Sequence, residues 1–252
     1  MGSPHGHAIH YHAHSPVHRL PAHLKVVTLV AFVLVVVSTP AHAPWAFAAY
    51  AVVVGAVWLL SRVPLGYLAR RMVVEVPFVL FALLLPLVAT GPRVDVGPLS
   101  VSRTGLVAAG ALLAKATLGV MAALALATTT EARDLVLGLE RLRLPAVMVA
   151  ILGFMVRYLD VVLGELERMR IARESRGFQA ASVRQWPALA ATIGAVFIRS
   201  YERGERVHLA MLSRGYTGVM PRWQQVQATA TQWLGCAAVP ALALVGRAVV
   251  GR

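Results

Sequence analysis

The sequence predicts an all-α polytopic membrane protein with about five transmembrane helices and long amphipathic helices on the cytoplasmic side. Three observations carry this prediction. The 252-residue chain is 58% hydrophobic and only 14% charged, whereas roughly a quarter of the residues in soluble domains are charged. Several apolar runs approach the roughly 20 residues that a spanning helix needs. Between residues 131 and 222 these runs give way to amphipathic stretches.

The first half of the chain holds the apolar runs that we predict to be its first membrane spans. They cover residues 24–38, 44–60, 73–90 and 104–128. Lys25, the apolar residues 26–37 and Ala-His-Ala at 41–43 together imitate a signal peptide. Because a polar tail precedes this segment and another span follows at once, we expect it to be retained. Glu75 and Lys115 lie inside two of the spans, where ionisable residues are functional candidates.

The distribution of charge predicts which side of the membrane each region occupies. Residues 131–222 contain 14 Lys and Arg against 9 Asp and Glu, so the positive-inside rule makes this stretch cytoplasmic. The charge lies on helices with apolar faces, which does not fit a nucleic-acid surface. The predicted organisation is a His-rich tail (1–23), a four-span region (24–130), cytoplasmic helices (131–222) and a C-terminal transmembrane helix (223–252).

The cytoplasmic stretch is predicted to contain two long amphipathic helices and a shorter one. From Ala146 about eleven apolar residues precede a charged half, and a block of that length is too short to cross a bilayer. The same design starts again at Pro187, and each helix would be roughly 40 Å long. The shorter helix comes first and stops at Pro145. Two surface ion pairs are predicted on the first long helix: Glu165 with Arg168, and Arg170 with Glu174.

Both long helices end on the same short motif. The segments ERMRIARESRGF (167–178) and ERVHLAMLSRGY (205–216) align without a gap and share Ser-Arg-Gly before an aromatic ring. Glycine is the usual residue just past a helix end, and an arginine in the last turn complements the helix dipole. Capping explains the glycine but not the repeated Ser-Arg. The predicted functional residues are Ser175, Arg176, Gly177, Ser213, Arg214 and Gly215.

The chain lacks the motifs of an energy source or an enzyme. A P-loop needs a lysine after a glycine-rich turn, and neither Lys25 nor Lys115 follows a glycine. The sequence contains no H-E-x-x-H or G-x-S-x-G motif, and its single cysteine, Cys236, excludes an internal disulfide. If ATP drives this protein, a partner must bind it. Two arginine-tipped helix ends suit a two-fold dimer of ATPase subunits.

Four segments resemble one transporter family in the family's own order. They are SPVHRLPAHLK (15–25), DLVLGLERLRLP (134–145), MVRYLDVVLGELERMRIARESRGF (155–178) and AMLSRGY (210–216). In these segments the chain resembles the transmembrane T component of energy-coupling factor (ECF) transporters. It is most similar to the CbiQ branch, which serves cobalt or nickel uptake. The family usually carries Ala-Arg-Gly where this chain has Ser-Arg-Gly twice.

The resemblance implies a non-catalytic subunit in the cytoplasmic (inner) membrane. Arg176 and Arg214 would dock into grooves on two ATPase subunits, a homo- or heterodimer, which would bind the ATP and Mg²⁺. This chain would bind no cofactor itself. A substrate-binding membrane S component, similar to CbiM, would be the other partner, and its candidate contacts are Glu75, Leu142 and Pro145. The coupling helices would be residues 131–144, 146–176 and 188–214.

The N-terminal tail gathers seven histidines within 23 residues. His10, His12 and His14 alternate along it, and neutral imidazole binds cobalt, nickel, copper and zinc. One interpretation is accessory metal capture beside a metal importer. The other is a disordered tail with incidental affinity for metals.

Three other functions remain as alternatives. The same scaffold could serve a vitamin ECF transporter, because a T component need not contact the cargo. A conventional ABC permease has a cytoplasmic loop with Glu-Ala-Ala and a spaced glycine, which Glu131, Ala132 and Gly138 imitate with the wrong spacing. A membrane enzyme or an autonomous metal carrier would need catalytic motifs, or clusters of His or carboxylates within the spans.

Overall fold

In a computed structural model of the chain, the structure describes residues 15–96, 99–178, 186–218 and 229–250, and most of them are helical. This confirms the prediction of an all-α polytopic membrane protein. The helices are α1 (Ala22–Ser38), α2 (Pro44–Ser61), α3 (Leu65–Arg71), α4 (Val76–Val88), α5 (Arg103–Thr129), α6 (Ala132–Arg141), α7 (Ala146–Glu174), α8 (Trp186–Leu212) and α9 (Ala230–Val250), with a 3-10 turn at Met72–Glu75.

By length and composition, four segments of the described chain are able to cross a membrane. They are Pro44–Ser61, Gly66–Val88, Arg103–Thr129 and Ala146–Glu174. The first three match predicted spans, and α1 is an apolar helix of 17 residues at the place of the remaining one. The fifth predicted span corresponds to α9, whose 21 residues extend about 31 Å.

The apolar part of α7 is longer than the block of about eleven residues predicted from the sequence. An 18-residue stretch of it is apolar enough to cross a bilayer and holds at most two charged residues. The prediction counted only the uninterrupted apolar run, which ends before Arg157. Arg157 and Asp160 interrupt that run, but apolar residues continue on both sides of them. The uninterrupted run therefore underestimated the apolar length of the helix.

A short antiparallel hairpin between α4 and α5 was not predicted. Strand β1 (Arg93–Val96) pairs with β2 (Leu99–Ser102), and Arg93 lies opposite Ser102. The sequence Arg-Val-Asp-Val alternates polar and apolar residues, which is a strand pattern. Four residues are a weak strand signal, so the sequence predicts only a loop between spans over residues 91–103.

The described chain forms two compact units. One holds α1 to α5, the hairpin, α9 and α6 up to Gly138, and the other holds α7 and α8. Buried aromatic and aliphatic side chains from α1, α2 and α5 form the core of the first unit, which we call the membrane unit. Tyr50 is central to it, because its hydroxyl lies 3.0 Å from that of Thr39 and its ring packs edge-on against Phe32 and Phe47.

Helices α4 and α5 approach closely at Gly105. A Cβ atom at this position would lie 2.7 Å from the Cα atom of Pro86 in α4 and 2.9 Å from the Cβ atom of Ala89, the residue just past the end of α4. We predict that Gly105→Ala lowers the unfolding temperature of the detergent-purified protein, because overpacking a close contact costs about 1–3 kcal/mol. Gly110→Ala is the matched control, since a Cβ atom there meets nothing within 4 Å. An equal melting temperature in both variants would contradict the close contact.

Candidate functional site

The end of α7 is closed by the hydrogen bonds of a Schellman motif. The amide of Gly177 donates to the carbonyl of Glu174 at 3.0 Å, and the amide of Phe178 donates to that of Arg173 at 3.1 Å. Gly177 has a φ of 75°, a left-handed conformation in which a side chain is strained. The Arg173 guanidinium lies 5.5 Å from the centre of the Phe178 ring. The predicted glycine cap is thus present.

The end of α8 repeats the same hydrogen bonds 38 positions later. The amides of Gly215 and Tyr216 donate to the carbonyls of Leu212 and Met211, each at 3.0 Å, and Gly215 has a φ of 81°. The two serines also match. The hydroxyl of Ser175 donates to the carbonyl of Ala172, and that of Ser213 to the carbonyl of Ala210, each at 3.0 Å. The repeat in sequence is therefore a repeat of backbone geometry.

Arg176 and Arg214 are exposed at these two ends. Within the residues that the structure describes, neither guanidinium has a hydrogen-bond or ion-pair partner. Other arginines of the same helices are engaged: Arg170 contacts Glu174 at 2.8 Å, as predicted, and Arg206 contacts Glu202 at 3.8 Å. Both motif arginines are therefore free to bind an external carboxylate or carbonyl.

A carboxylate at Glu165 joins α7 to α8. Its two oxygens lie 2.9 Å from Arg199 and 3.5 Å from Arg203, and the residue is only 7% exposed. The predicted surface pair with Arg168 is thus replaced by buried contacts with Arg199 and Arg203, and Arg168 adds only a smaller electrostatic attraction. Spacing within one helix cannot reveal a partner on another helix. A second link joins the Arg173 guanidinium to the Thr192 hydroxyl at 3.0 Å.

The two links show that α7 and α8 run in opposite directions past each other. From Glu165 to Arg173 the chain advances along α7, while the contacted positions on α8 fall from Arg203 and Arg199 to Thr192. Arg176 lies 11 residues beyond Glu165, and Arg214 lies 15 residues beyond Arg199 and 11 beyond Arg203. At about 1.5 Å per residue, Arg176 is roughly 16 Å and Arg214 roughly 16 to 22 Å from the carboxylate link, and the two lie toward opposite ends of the pair.

The remaining predicted site residues occupy different environments. Glu75 is 6% exposed and its carboxylate accepts a hydrogen bond from the Thr117 hydroxyl, so it makes an internal contact of the membrane unit. Leu142 and Pro145 are exposed in the turn before α7. Contact of these residues with another subunit stays a prediction. His10, His12 and His14 lie outside the described residues, among which no group of three metal-ligating side chains occurs.

Sequence reasoning missed two contacts that join the start of α1 to the region of α5 and α6. Lys25 is buried against the end of α5, and Gly138 lies against the start of α1. The sequence indicated Lys25 as part of an apparent signal peptide and Gly138 as a loose match to a permease loop, and neither interpretation predicts these contacts. Their partners lie more than a hundred residues away in sequence, so no local pattern signals them.

Comparison with known proteins identifies the family of the chain. The sequence model of the CbiQ family, described as a cobalt transport protein, matches residues 13–225. The cobalt transport protein CbiQ of Rhodobacter capsulatus is 29% identical over 163 residues, 65% of either chain. The energy-coupling factor transporter transmembrane protein EcfT of Heliobacterium modesticaldum is 28% identical over 218 residues, 81% of either chain.

A putative fused cobalt transport protein, CbiMQ, of Methanocorpusculum labreanum is 26% identical over 128 residues, which are 51% of this chain and 21% of that protein. The chain spans between 41% and 65% of the length of the first curated relatives that it matches. The family match extends over both compact units and both arginine-tipped helix ends. The chain therefore belongs to the CbiQ family of cobalt transport proteins.

Proposed function

We propose that this chain is the energy-coupling T subunit of an ECF-type importer, which passes the movement of two partner ATPase subunits to a substrate-binding membrane subunit. One observation carries the proposal: two helix ends share the same backbone hydrogen bonds and the same free arginine. A dimer of ATPase subunits offers two equivalent grooves, and a single chain fills both only by carrying the docking element twice. ATP and Mg²⁺ then belong to the partners, and this chain is not an enzyme.

Cobalt, or the chemically similar nickel, is the proposed cargo. The family description and the name of the Rhodobacter relative support it. The fused CbiMQ relative supports a CbiM-like S component as the partner that holds the ion. The proposed location is the cytoplasmic membrane, with the basic helices inside. His10, His12 and His14 are proposed as an accessory metal-capturing tail.

A second candidate keeps the mechanism and changes the cargo to a vitamin. The EcfT relative favours it, because that protein is matched over 81% of its length and its name specifies no cobalt. The S component decides between the two cargoes. The arginine-tipped helix ends would dock to the ATPase subunits in the same way in either transporter.

Reconstitution tests the proposed function. The chain is co-expressed with its ATPase subunits and a CbiM-like subunit, and the complex is placed in proteoliposomes. We expect ATP-dependent uptake of labelled Co²⁺ by the full complex, and neither uptake nor ATP hydrolysis by this chain alone. Cobalt uptake by the isolated chain without ATPase subunits would overturn the proposal in favour of an autonomous carrier. Uptake of a vitamin with no uptake of Co²⁺ would favour the second candidate.

A further inference from the structure

Lys25 joins three parts of the membrane unit through its ammonium group. The residue lies in the first turn of α1 and is only 8% exposed. Its Nζ atom donates to the carbonyl of Thr129 at 2.8 Å, to the hydroxyl of Thr130 at 3.1 Å and to the carbonyl of His18 at 3.5 Å. These contacts use all three donors of the ammonium group. The segment before α1, the start of α1 and the end of α5 therefore meet at one buried charge.

The contact falls where α5 passes into α6. The last carbonyls of a helix have no donor within the helix and carry a negative partial charge. Thr129 provides one of these carbonyls, so Lys25 supplies it with both a hydrogen bond and a complementary charge. Asp134, in the first turn of α6, adds a second attraction to the ammonium. The start of α6 is thus held electrostatically to α1.

Gly138 fixes α6 to α1 at a second point. A Cβ atom on Gly138 would lie 2.8 Å from the amide nitrogen of His23 and 3.1 Å from the carbonyl carbon of Ala22. Both neighbours are backbone atoms, which cannot move aside as a flexible side chain would. Only glycine permits this approach of α6 to the beginning of α1.

We propose that Lys25 is a positioning residue for energy coupling, which fixes the α5–α6 joint to α1 so that movement of α6 reaches the membrane helices. The inference rests on the proposed function, in which α6 belongs to the coupling helices. If only the polypeptide backbone connected α5 to α6, this connection would bend locally when α6 is displaced. The Lys25 ammonium binds at Thr129, and the Gly138 contact lies nine residues further along the chain. Because both contacts hold to α1, the helices α1 and α5 and the first part of α6 move together.

Three variants of the complete reconstituted complex test this role, and the readout is the amount of Co²⁺ taken up per ATP hydrolysed. Lys25→Met keeps the apolar stem and removes the charge. We expect ATPase subunits to co-purify and to hydrolyse ATP, while uptake per ATP falls by roughly tenfold or more, since the substitution removes three hydrogen bonds and the loss of even one hydrogen bond to a charged group has about a tenfold effect. Gly138→Ala should lower the same ratio without changing any charge.

Lys115→Met is the matched control. Lys115 also donates to a carbonyl of α1, that of Val37 at 2.8 Å, but at the opposite end of the helix. Its uptake per ATP should equal that of the wild type. An unchanged ratio in both Lys25→Met and Gly138→Ala would overturn the inference. Loss of ATPase association together with transport would also overturn it, by showing a merely structural role. Failure of the wild-type complex itself would overturn the proposed function.

Discussion

Replacing both Arg176 and Arg214 by alanine is expected to abolish co-purification of this chain with the proposed ATPase subunits. Both guanidinium groups are exposed and unengaged within the described chain, so the substitutions remove no internal contact and leave the fold intact. An arginine that anchors an interface contributes about 2 kcal/mol or more, which corresponds to roughly a 30-fold weaker affinity. Each single variant should therefore weaken the complex, and the double variant should lose it. Pull-down from co-expressing cells and titration calorimetry measure the effect.

The matched control is the double variant Arg170→Ala, Arg206→Ala. It removes two exposed arginines from the same two helices and changes the net charge equally. We expect it to bind the ATPase subunits like the wild type. Equal losses in both double variants would show that overall charge, rather than docking at the helix ends, drives assembly. Replacement of Arg176 and Arg214 by lysine should restore binding only in part, because lysine lacks the planar fork.

Replacing Glu165 by alanine is expected to loosen the pairing of α7 with α8 and to lower the apparent Tm by several degrees. The substitution removes the one carboxylate that both Arg199 and Arg203 contact. Two like charges of α8, four residues apart, then lie at the contact with α7 without a counter-charge. Thermal unfolding of the purified protein measures the loss. In the proposed transporter this link transmits movement between the helices, so the reconstituted complex should also take up less Co²⁺ per ATP.

Glu167→Ala is the control for this variant, because it removes the same charge from the same helix, and within the described residues the Glu167 carboxylate pairs only with the exposed Arg170, at 3.8 Å. Surface substitutions of this kind usually change stability by less than about 0.5 kcal/mol. Adding Arg199→Ala and Arg203→Ala to Glu165→Ala should recover part of the lost stability. Without such recovery, unpaired charge would not be the cause of the loss.

The features that sequence predicted well depend on neighbouring residues. The apolar runs located α1, α2, α4 and α5, because hydrophobic length is a local property. The glycine caps at Gly177 and Gly215 were placed correctly, since the left-handed position past a helix selects glycine. The class of fold and the two repeated ends could thus be read directly from the chain.

The features that sequence missed depend on contacts between distant residues. Glu165 looked like a surface residue because its partners lie 34 and 38 positions away. Lys25 and Thr129 are separated by 104 positions, and nothing near Lys25 indicates the carbonyl that it binds. The length of the apolar part of α7 was underestimated for another reason, since a charged residue inside a run does not abolish its apolar character. Contacts between side chains of different helices are therefore identified only from the folded structure.

The opposed directions of α7 and α8 have a mechanical consequence. Glu165 and its two arginines hold the helices together at one place, and each helix extends beyond this contact toward its own exposed arginine, over 11 residues in α7 and 11 to 15 residues in α8. Equal displacements of the two ends in the same direction would translate the pair, and unequal displacements would rotate it. In the proposed transporter, two ATPase subunits that close equally would therefore shift the pair, whereas unequal closure would turn it.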